Sequence, residues 1–583
     1  METKRLVLAV ALSALVLVVW TKLFPPPERP AQPAVTPIET ATPFDISEAP
    51  PETAPGSPEE FVDAAIDPAA VVVADAEEIV RISTDRIDVE LTNVGGAALS
   101  WKLREYGRLE GEPLDVFPRF EEPATLPLSL DLDDISLSDA INQARFVVTR
   151  ETLDPEGARG RGEKVTFEWS DGRGLQVTKV FSFRQREYLV DVDIEVLDRG
   201  RRVESRLVVG PGFGAQEVAT GRSNYYYNGQ TIWNVAGQVT RKKRGKLDGE
   251  SGFSGPLRWA GLDDQYFAVL VLPGSERGQL RWRSAELTQQ SPGGEDSGEG
   301  EPETQPFLAI SIAESGGQIY VGPKNYRLLQ SLGGDLETAV WFSSVDWLAW
   351  IVRQIYFGLL WLQAHVVSNF GAAIILATMM LRIILFPVNQ FSMVSMKKTQ
   401  LQMQRLQPKI KAIKNKYKKQ KDAQARANLN RETMELYKRE GVNPMGGITG
   451  CLPMLAQFPI LIGFYNMLTV AVDLRGAPFF GWIQDLSLED PLYVTPLLMG
   501  VTMFTQQKLA MSKIKDPQQL QQQRFMLFMP VMFTIICVNM PSGLVLYWFV
   551  NNLLGIGQQY LVNRHTGRLE AAAHASPKSK AKA

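Results

Sequence analysis

The sequence predicts a multi-domain protein: an α-helical polytopic membrane part of six transmembrane helices, five of them forming the core, and a large β-sandwich between the first helix and the core. Three observations carry that prediction. Over about residues 62–340 apolar side chains alternate with polar ones at the period of two that marks half-buried strands. Beyond residue 368 the chain is dominated by long apolar runs nearly free of charge. The loops between those runs alternate between basic and acidic, as the positive-inside rule requires of a polytopic protein.

Composition excludes several classes. The chain has 583 residues with 61 basic and 64 acidic side chains, so bulk charge names no partner and no specific DNA partner is expected. Its two cysteines, Cys451 and Cys537, lie in or beside apolar runs, which leaves the soluble part no disulfide framework or cysteine metal site. Three histidines (His365, His565, His574) are too scattered for a metal cluster, and no phosphate-binding loop is present. The expectation is a protein without metal or cofactor.

Residues 1–24 pair Lys4-Arg5 with the apolar run Leu6–Trp20. A cleaved leader is one reading, but no small-x-small site follows, and an uncleaved signal anchor with a cytoplasmic N-terminus is favoured. Residues 25–61 are rich in Pro, Ala, Thr and Glu and read as an extended linker. In the β region, Ile87, Val89 and Leu91 alternate with Asp88 and Glu90, and Val190, Val192, Ile194 and Val196 with Asp191, Asp193 and Glu195. Asp171-Gly172 reads as a hairpin turn between Val165–Trp169 and Leu175–Phe183. The acidic, glycine-rich run Ser291–Gln305 reads as a loop. Asp263-Asp264 beside Trp259 and Tyr266 invite a carbohydrate-site reading, but adjacent carboxylates diverge, so solvated turn residues are expected. The run Arg241–Arg244 is expected to be a solvated loop.

Residues 346–367 carry Trp347, Trp350 and Trp361 among polar side chains, the pattern of an interfacial amphipathic helix. Then comes the run 370–386, FGAAIILATMMLRIILF, holding one charge, Arg382. An arginine in hydrocarbon costs at least ~2.5–3.5 kcal/mol, so it either snorkels to the interface or faces a polar cavity. Four further residues separate it from the polar end, which favours the cavity. Thr378 shares its helical face.

Residues 390–441 predict a cytoplasmic hairpin of two helices, broken at Pro408 and tipped at Gln420–Asn428. Between Lys397 and Glu440 it holds fourteen basic against four acidic residues, a surface for acidic lipid, ribosomal RNA or a partner protein. Further spans are expected at Leu452–Val472, Leu492–Gln507 and, divided at Asn539–Gly543, within Phe525–Asn563. A basic tail, 564–583, closes the chain. Alternating from an inside N-terminus places every basic loop in the cytoplasm. Several polar groups then share one depth in the inner half of the core (368–563): Arg382, Thr378, Gln457, Thr502, Gln506, Asn551 and Asn552, with Gln558 a further candidate. Singly such amides are interhelical glue worth ~0.6 kcal/mol. Around an arginine they can line a hydrated groove.

The stretches MMLRIILFPV, LQPKIKAIKNKY, LYKREGVNPMGG, CLPMLAQFPI, DLRGAPFFGWIQDLS, LLMGVTMF and MPSGLVLYW resemble the YidC/Oxa/Alb family of membrane protein insertases. The match covers about residues 350–563, and the preceding anchor and β region resemble the family's extended Gram-negative form. That resemblance implies an inner-membrane chaperone, not an enzyme, with five core helices around a hydrophilic groove open to cytoplasm and lipid, and a periplasmic sandwich. It places the groove arginine at Arg382 and groove-facing polar groups at Thr378, Gln457 and Gln506. It places client contacts at Phe458, Pro459 and Trp548, where many relatives carry tyrosine. Implied partners are nascent membrane proteins, the Sec translocase, the ribosome and the bilayer. Two alternatives make different demands: a small-molecule transporter needs an inverted repeat and broken half-helices, neither of which is seen, and an outer-facing carbohydrate enzyme needs separated carboxylates in a cleft.

Overall fold

In the computed structural model the described residues are 71–107, 113–117, 125–154, 160–211, 213–214, 230–243, 251–275, 277–287, 303–343, 345–417, 423–440, 462–511 and 517–575. The expected anchor, the linker and most of the acidic run lie outside them, as do Gln457, Phe458 and Pro459.

Residues 71–323 form the β-sandwich. Its largest sheet has 11 strands; along its main path these run Val71–Val72, Gly162–Asp171, Leu175–Arg184, Leu189–Asp198, Gly317–Pro323, Phe267–Leu272, Leu257–Asp263, Gln230–Val235 and Gln238–Lys243. A 5-stranded and a 4-stranded sheet complete it, the latter including Ile79–Ser83, Ile87–Thr92 and Ala97–Gly107. Every pairing among named strands is antiparallel. Period-two alternation does the work expected of it: Val190, Val192, Ile194 and Val196 are buried, as are Ile87, Val89 and Leu91. The Asp171-Gly172 turn joins paired strands as a hairpin, with Gly172 at φ 69°, a conformation that glycine adopts without a steric penalty.

The sheets are tied together by a buried lysine. Lys179, on Leu175–Arg184, donates to the carbonyls of Gly95 (2.9 Å), Gly96 (2.7 Å) and Leu128 (2.5 Å). Gly95 and Gly96 form the turn before Ala97–Gly107, and Leu128 precedes Leu130–Leu132 of the 5-stranded sheet, so one ammonium joins segments of all three sheets.

Three sequence expectations are corrected here. Asp263 and Asp264 are not solvated turn residues; they are 1% and 8% exposed. Asp263 accepts from Lys324 Nζ at 2.8 Å, and Asp264 Oδ1 accepts from the amides of Tyr266 (2.8 Å) and Phe267 (2.6 Å). Burial still pushes the Asp263 carboxyl upward, against the attraction of Lys324. The run at 241–244 is no loop over its first three residues, which end the edge strand Gln238–Lys243; there Arg241 donates to the carbonyls of Thr338 and Ala339. Residues 303–305 of the expected acidic loop open the strand Glu303–Ser311.

The helices are α1 (Ile135–Gln143), α2 (Tyr326–Leu332), α3 (Asp346–His365), α4 (Phe370–Lys416), α5 (Ala423–Arg439), α6 (462–470), α7 (Val494–Ala510), α8 (Pro517–Cys537) and α9 (Ser542–Ala575). Among the described residues one stretch, Phe370–Pro387, is long and apolar enough to cross a membrane, and Leu527–Cys537 is a shorter apolar segment. The expected break at Pro408 does not occur: α4 runs through Pro387 and Pro408, both exposed. A proline removes one intrahelical bond and crowds the preceding turn, which can kink a helix without ending it. At 47 residues α4 is about 70 Å long, well beyond the ~30 Å of hydrocarbon. It returns through α5, with Lys416 and Tyr417 both donating to Glu432 at 2.6 Å.

The sandwich and the helices share one apolar core running from Val269 and Tyr320 through Phe342 and Tyr356 to Phe464 and Tyr547. At the joint, Asp473 accepts from Tyr356 OH (2.7 Å) and Asn325 Nδ2 (2.8 Å), and Gln265 Nε2 donates to the carbonyl of Thr469 (2.6 Å). The Arg475 guanidinium lies over the rings of Tyr266 (5.9 Å) and Phe267 (5.4 Å).

Candidate functional site

Asn369 fixes where α4 begins. Its side-chain oxygen accepts from the amide of Ala372 (3.0 Å), and its nitrogen donates to the carbonyls of Pro478 (2.8 Å) and Phe479 (3.1 Å). One helical face is then buried through Ala373, Ile374 and Thr378, while Met379, Met380, Ile383 and Ile384 on the other face are exposed. Arg382 continues the inward face one turn below Thr378 and is only partly exposed.

Its guanidinium lies against α9. Nε donates to Asn551 Oδ1 (2.8 Å), one terminal nitrogen donates to the Asn551 carbonyl (2.8 Å), and the other reaches Gln558 Oε1 (3.4 Å). Asn551 and Gln558 are seven residues apart and so lie on one face two turns distant. Gln558 also reaches the carbonyl of Phe386 (3.4 Å) and Gln390 Oε1 (3.5 Å). Gln506 of α7 completes the setting: a β-carbon placed on Gly555 would lie 2.4 Å from its Nε2 and 3.0 Å from an Arg382 terminal nitrogen. Among the described residues no carboxylate lies within ion-pair distance of Arg382. A buried cation without a counter-charge is costly, and here neutral oxygens carry the compensation. Three of the five guanidinium N–H groups are engaged among the described residues, leaving two that can donate to an incoming acceptor.

The other expected positions are dispersed. Thr378 is 1% exposed and donates to the Ile374 carbonyl (2.7 Å). Thr502 bonds the carbonyls of Leu498 (2.9 Å) and Met499 (2.8 Å) in its own helix. Trp548 meets Phe533 edge-on, ring centroids 4.9 Å apart, in the seam between α9 and α8. One turn from Asn551, Tyr547 stacks on Phe464 at 4.4 Å. Sequence reasoning brought Arg382, Asn551 and Gln506 to one place. It left Gln558 as a secondary candidate and gave Gly555 no role, because a glycine in an apolar run carries no sign of what fills the space beside it.

A β-sandwich docked on helices, one of which holds a single arginine within an apolar run long enough to cross a membrane, defines a membrane-associated protein with a soluble domain. Two family models divide the chain between them: "YidC periplasmic domain" matches residues 79–357 and "60Kd inner membrane protein" matches 361–569. A membrane protein insertase YidC of Syntrophus aciditrophicus is 32% identical, covering 96% of this chain and 99% of its own length. One from Geobacter metallireducens is 33% identical over 97% and 99%. A crystal structure of an active YidC insertase with its first transmembrane domain resolved is 19% identical, covers 85% of this chain and 95% of that one, and superposes with a TM-score of 0.34. The chain belongs to the YidC family of membrane protein insertases, inner-membrane proteins with a periplasmic domain and not enzymes.

Proposed function

We propose that this protein takes transmembrane segments of nascent proteins from the cytoplasmic side and releases them into the bilayer through a polar groove built on Arg382. In this reading six spans cross the membrane, the first at 1–24, and both termini are cytoplasmic. The sandwich is periplasmic, 346–367 lies in the interface, and five spans within 368–563 form the core. The hairpin at 390–441 and the tail at 564–583 face the ribosome, and the Sec translocase delivers some clients.

The observation that carries the reading is the setting of Arg382: a guanidinium in an apolar helix, held by neutral amides and partly exposed. A carboxylate beside it would cancel much of its field. Held by amides, it retains its charge and its two unengaged N–H groups. A polar or acidic flank entering beside it exchanges water for fixed donors, which lowers the desolvation cost of the crossing. The apolar part of the client then leaves sideways, past the exposed face of Met379, Met380, Ile383 and Ile384. Transfer of each methylene into lipid yields about 0.8 kcal/mol, so release needs no nucleotide. Gln457, Phe458, Pro459, Thr502, Gln506, Trp548 and Asn551 are assigned to the client path in this reading.

The test is site-specific photocrosslinking from positions 458, 459 and 548 to ribosome-bound chains of a membrane protein. Crosslinks that appear only while the apolar segment is emerging support the path; their absence from all three positions overturns it.

A further inference from the structure

We propose that Gly555 sets the orientation of the Arg382 guanidinium, and through it the preference for clients with an acidic flank; the inference rests on the groove reading above. Gly555 lies inside α9, and its φ is outside the left-handed range, so the backbone there does not require glycine. Glycine is among the least favourable residues for a helix interior. What the position offers is space. A β-carbon would come within 2.4 Å of Gln506 Nε2 and 3.0 Å of an Arg382 terminal nitrogen, so α7 and α4 send these side chains into the gap that the missing side chain leaves.

Two residues on, Gly557 makes the comparison within the same helix. A β-carbon there meets nothing within 4 Å. The space at 555 is filled by polar groups of two other helices, and the space at 557 is open. With Asn551 holding Nε and one terminal nitrogen, and Gln558 the other, the guanidinium is held beside position 555 by three acceptors, which fix where its free N–H groups are directed. A side chain at 555 must lift it from α9. The charge would stay and the directed donors would be lost. Gly555 is therefore a positioning residue: it acts through Arg382 and selects for clients that offer a carboxylate as acceptor.

The experiment measures membrane insertion by protease protection in vesicles containing the full-length protein. Two clients are compared, identical but for an aspartate or an asparagine beside the apolar segment. Gly555→Val is expected to lower insertion of the aspartate client roughly tenfold, the scale of one hydrogen bond to a charged group, and to leave the asparagine client within about twofold. Gly557→Val, which adds the same bulk to the same helix, is expected to change neither. Should Gly555→Val fail to accumulate, Gly555→Ala serves, because its methyl meets only the movable ends of two side chains, Gln506 and Arg382; it should lower the aspartate client in the same direction by a smaller factor and leave the asparagine client unchanged. Equal loss on both clients, or no loss on either while Arg382→Ala still impairs the aspartate client, overturns the inference and leaves the groove reading standing. If Arg382→Ala itself leaves the aspartate client unaffected, the groove reading fails and this inference with it.

Discussion

Replacing Lys179 by methionine keeps the stem of the side chain and deletes the ammonium that joins three sheets. The carbonyls of Gly95, Gly96 and Leu128, which accept from it at 2.9, 2.7 and 2.5 Å, are left with one donor fewer in a site closed to water. Leaving a buried carbonyl short of a donor costs about 1–3 kcal/mol, so three together cost at least about 3 kcal/mol. For a domain of this size that lowers the unfolding temperature by roughly 10 °C. The cost depends on pH in a defined direction. Burial pulls the Lys179 ammonium from its ordinary 10.5 down to about 7, so between those values the unfolded chain binds a proton that the folded one does not. Stability from this group therefore rises with pH across that window, by up to about 1.4 kcal/mol per pH unit, and is smallest below pH 7. The Lys179→Met penalty should widen between pH 6.5 and pH 9.5. Thermal unfolding of the full-length protein in detergent, followed by tryptophan fluorescence at both pH values, reads both effects. A shift of a degree or two, or a penalty that narrows as pH rises, would refute the reasoning.

Four other substitutions test the joint and the loops that frame the helices. Burial pushes the Asp473 carboxyl upward, with the bonds from Tyr356 and Asn325 pulling the other way. Its folded form thus keeps a proton above the unfolded value of about 3.9, and its contribution declines as pH rises from there. Asp473→Asn should accordingly cost little at neutral pH, whereas Tyr356→Phe, which strips a buried acceptor of its donor, should cost about 1–3 kcal/mol in a melting experiment. Asp490 is the reverse case: burial opposes its charge, but the amides of Leu492 and Thr495, the Thr495 hydroxyl and the Trp482 indole hold its carboxyl below the usual range. Its contribution is present above about pH 4 and lost as pH falls through its lowered value, so Asp490→Ala should cost about 3 kcal/mol at pH 7 and progressively less in acid, measured by the same melts. Gly371→Ala places a β-carbon 2.0 Å from Phe479 Cδ2, and should cost about 1–3 kcal/mol and raise protease sensitivity near residue 479.

The parts of the molecule legible in the sequence were those set by local periodicity and termination. Alternation at Ile87–Leu91 and Val190–Val196 gave strands with their buried faces, and Asp171-Gly172 gave a hairpin. The aromatic helix at 346–365 followed from its tryptophans, the start of α4 from the apolar run that opens after Asn369, and the break at Asn539–Gly543 from its turn residues. What depends on distant partners was hidden. Asp263 and Asp264 looked solvated because Lys324, about sixty residues on, gives no local sign of turning inward. Pro408 looked like a break because proline removes an intrahelical bond, yet α4 runs through it. At the site, the residue types that bond Arg382 were visible, but the vacancy at Gly555 exists only once three helices have met.

The common apolar core through Phe342 and Tyr356 has a mechanical consequence. A domain on a tether would tumble, and a push on it would be absorbed by the linker. Here Asp473, Gln265 and Arg475 bolt the sandwich to the outer ends of the helices, so a torque applied from outside the membrane is passed along α3 and α6 toward Tyr547, one turn from the residue that grips the arginine.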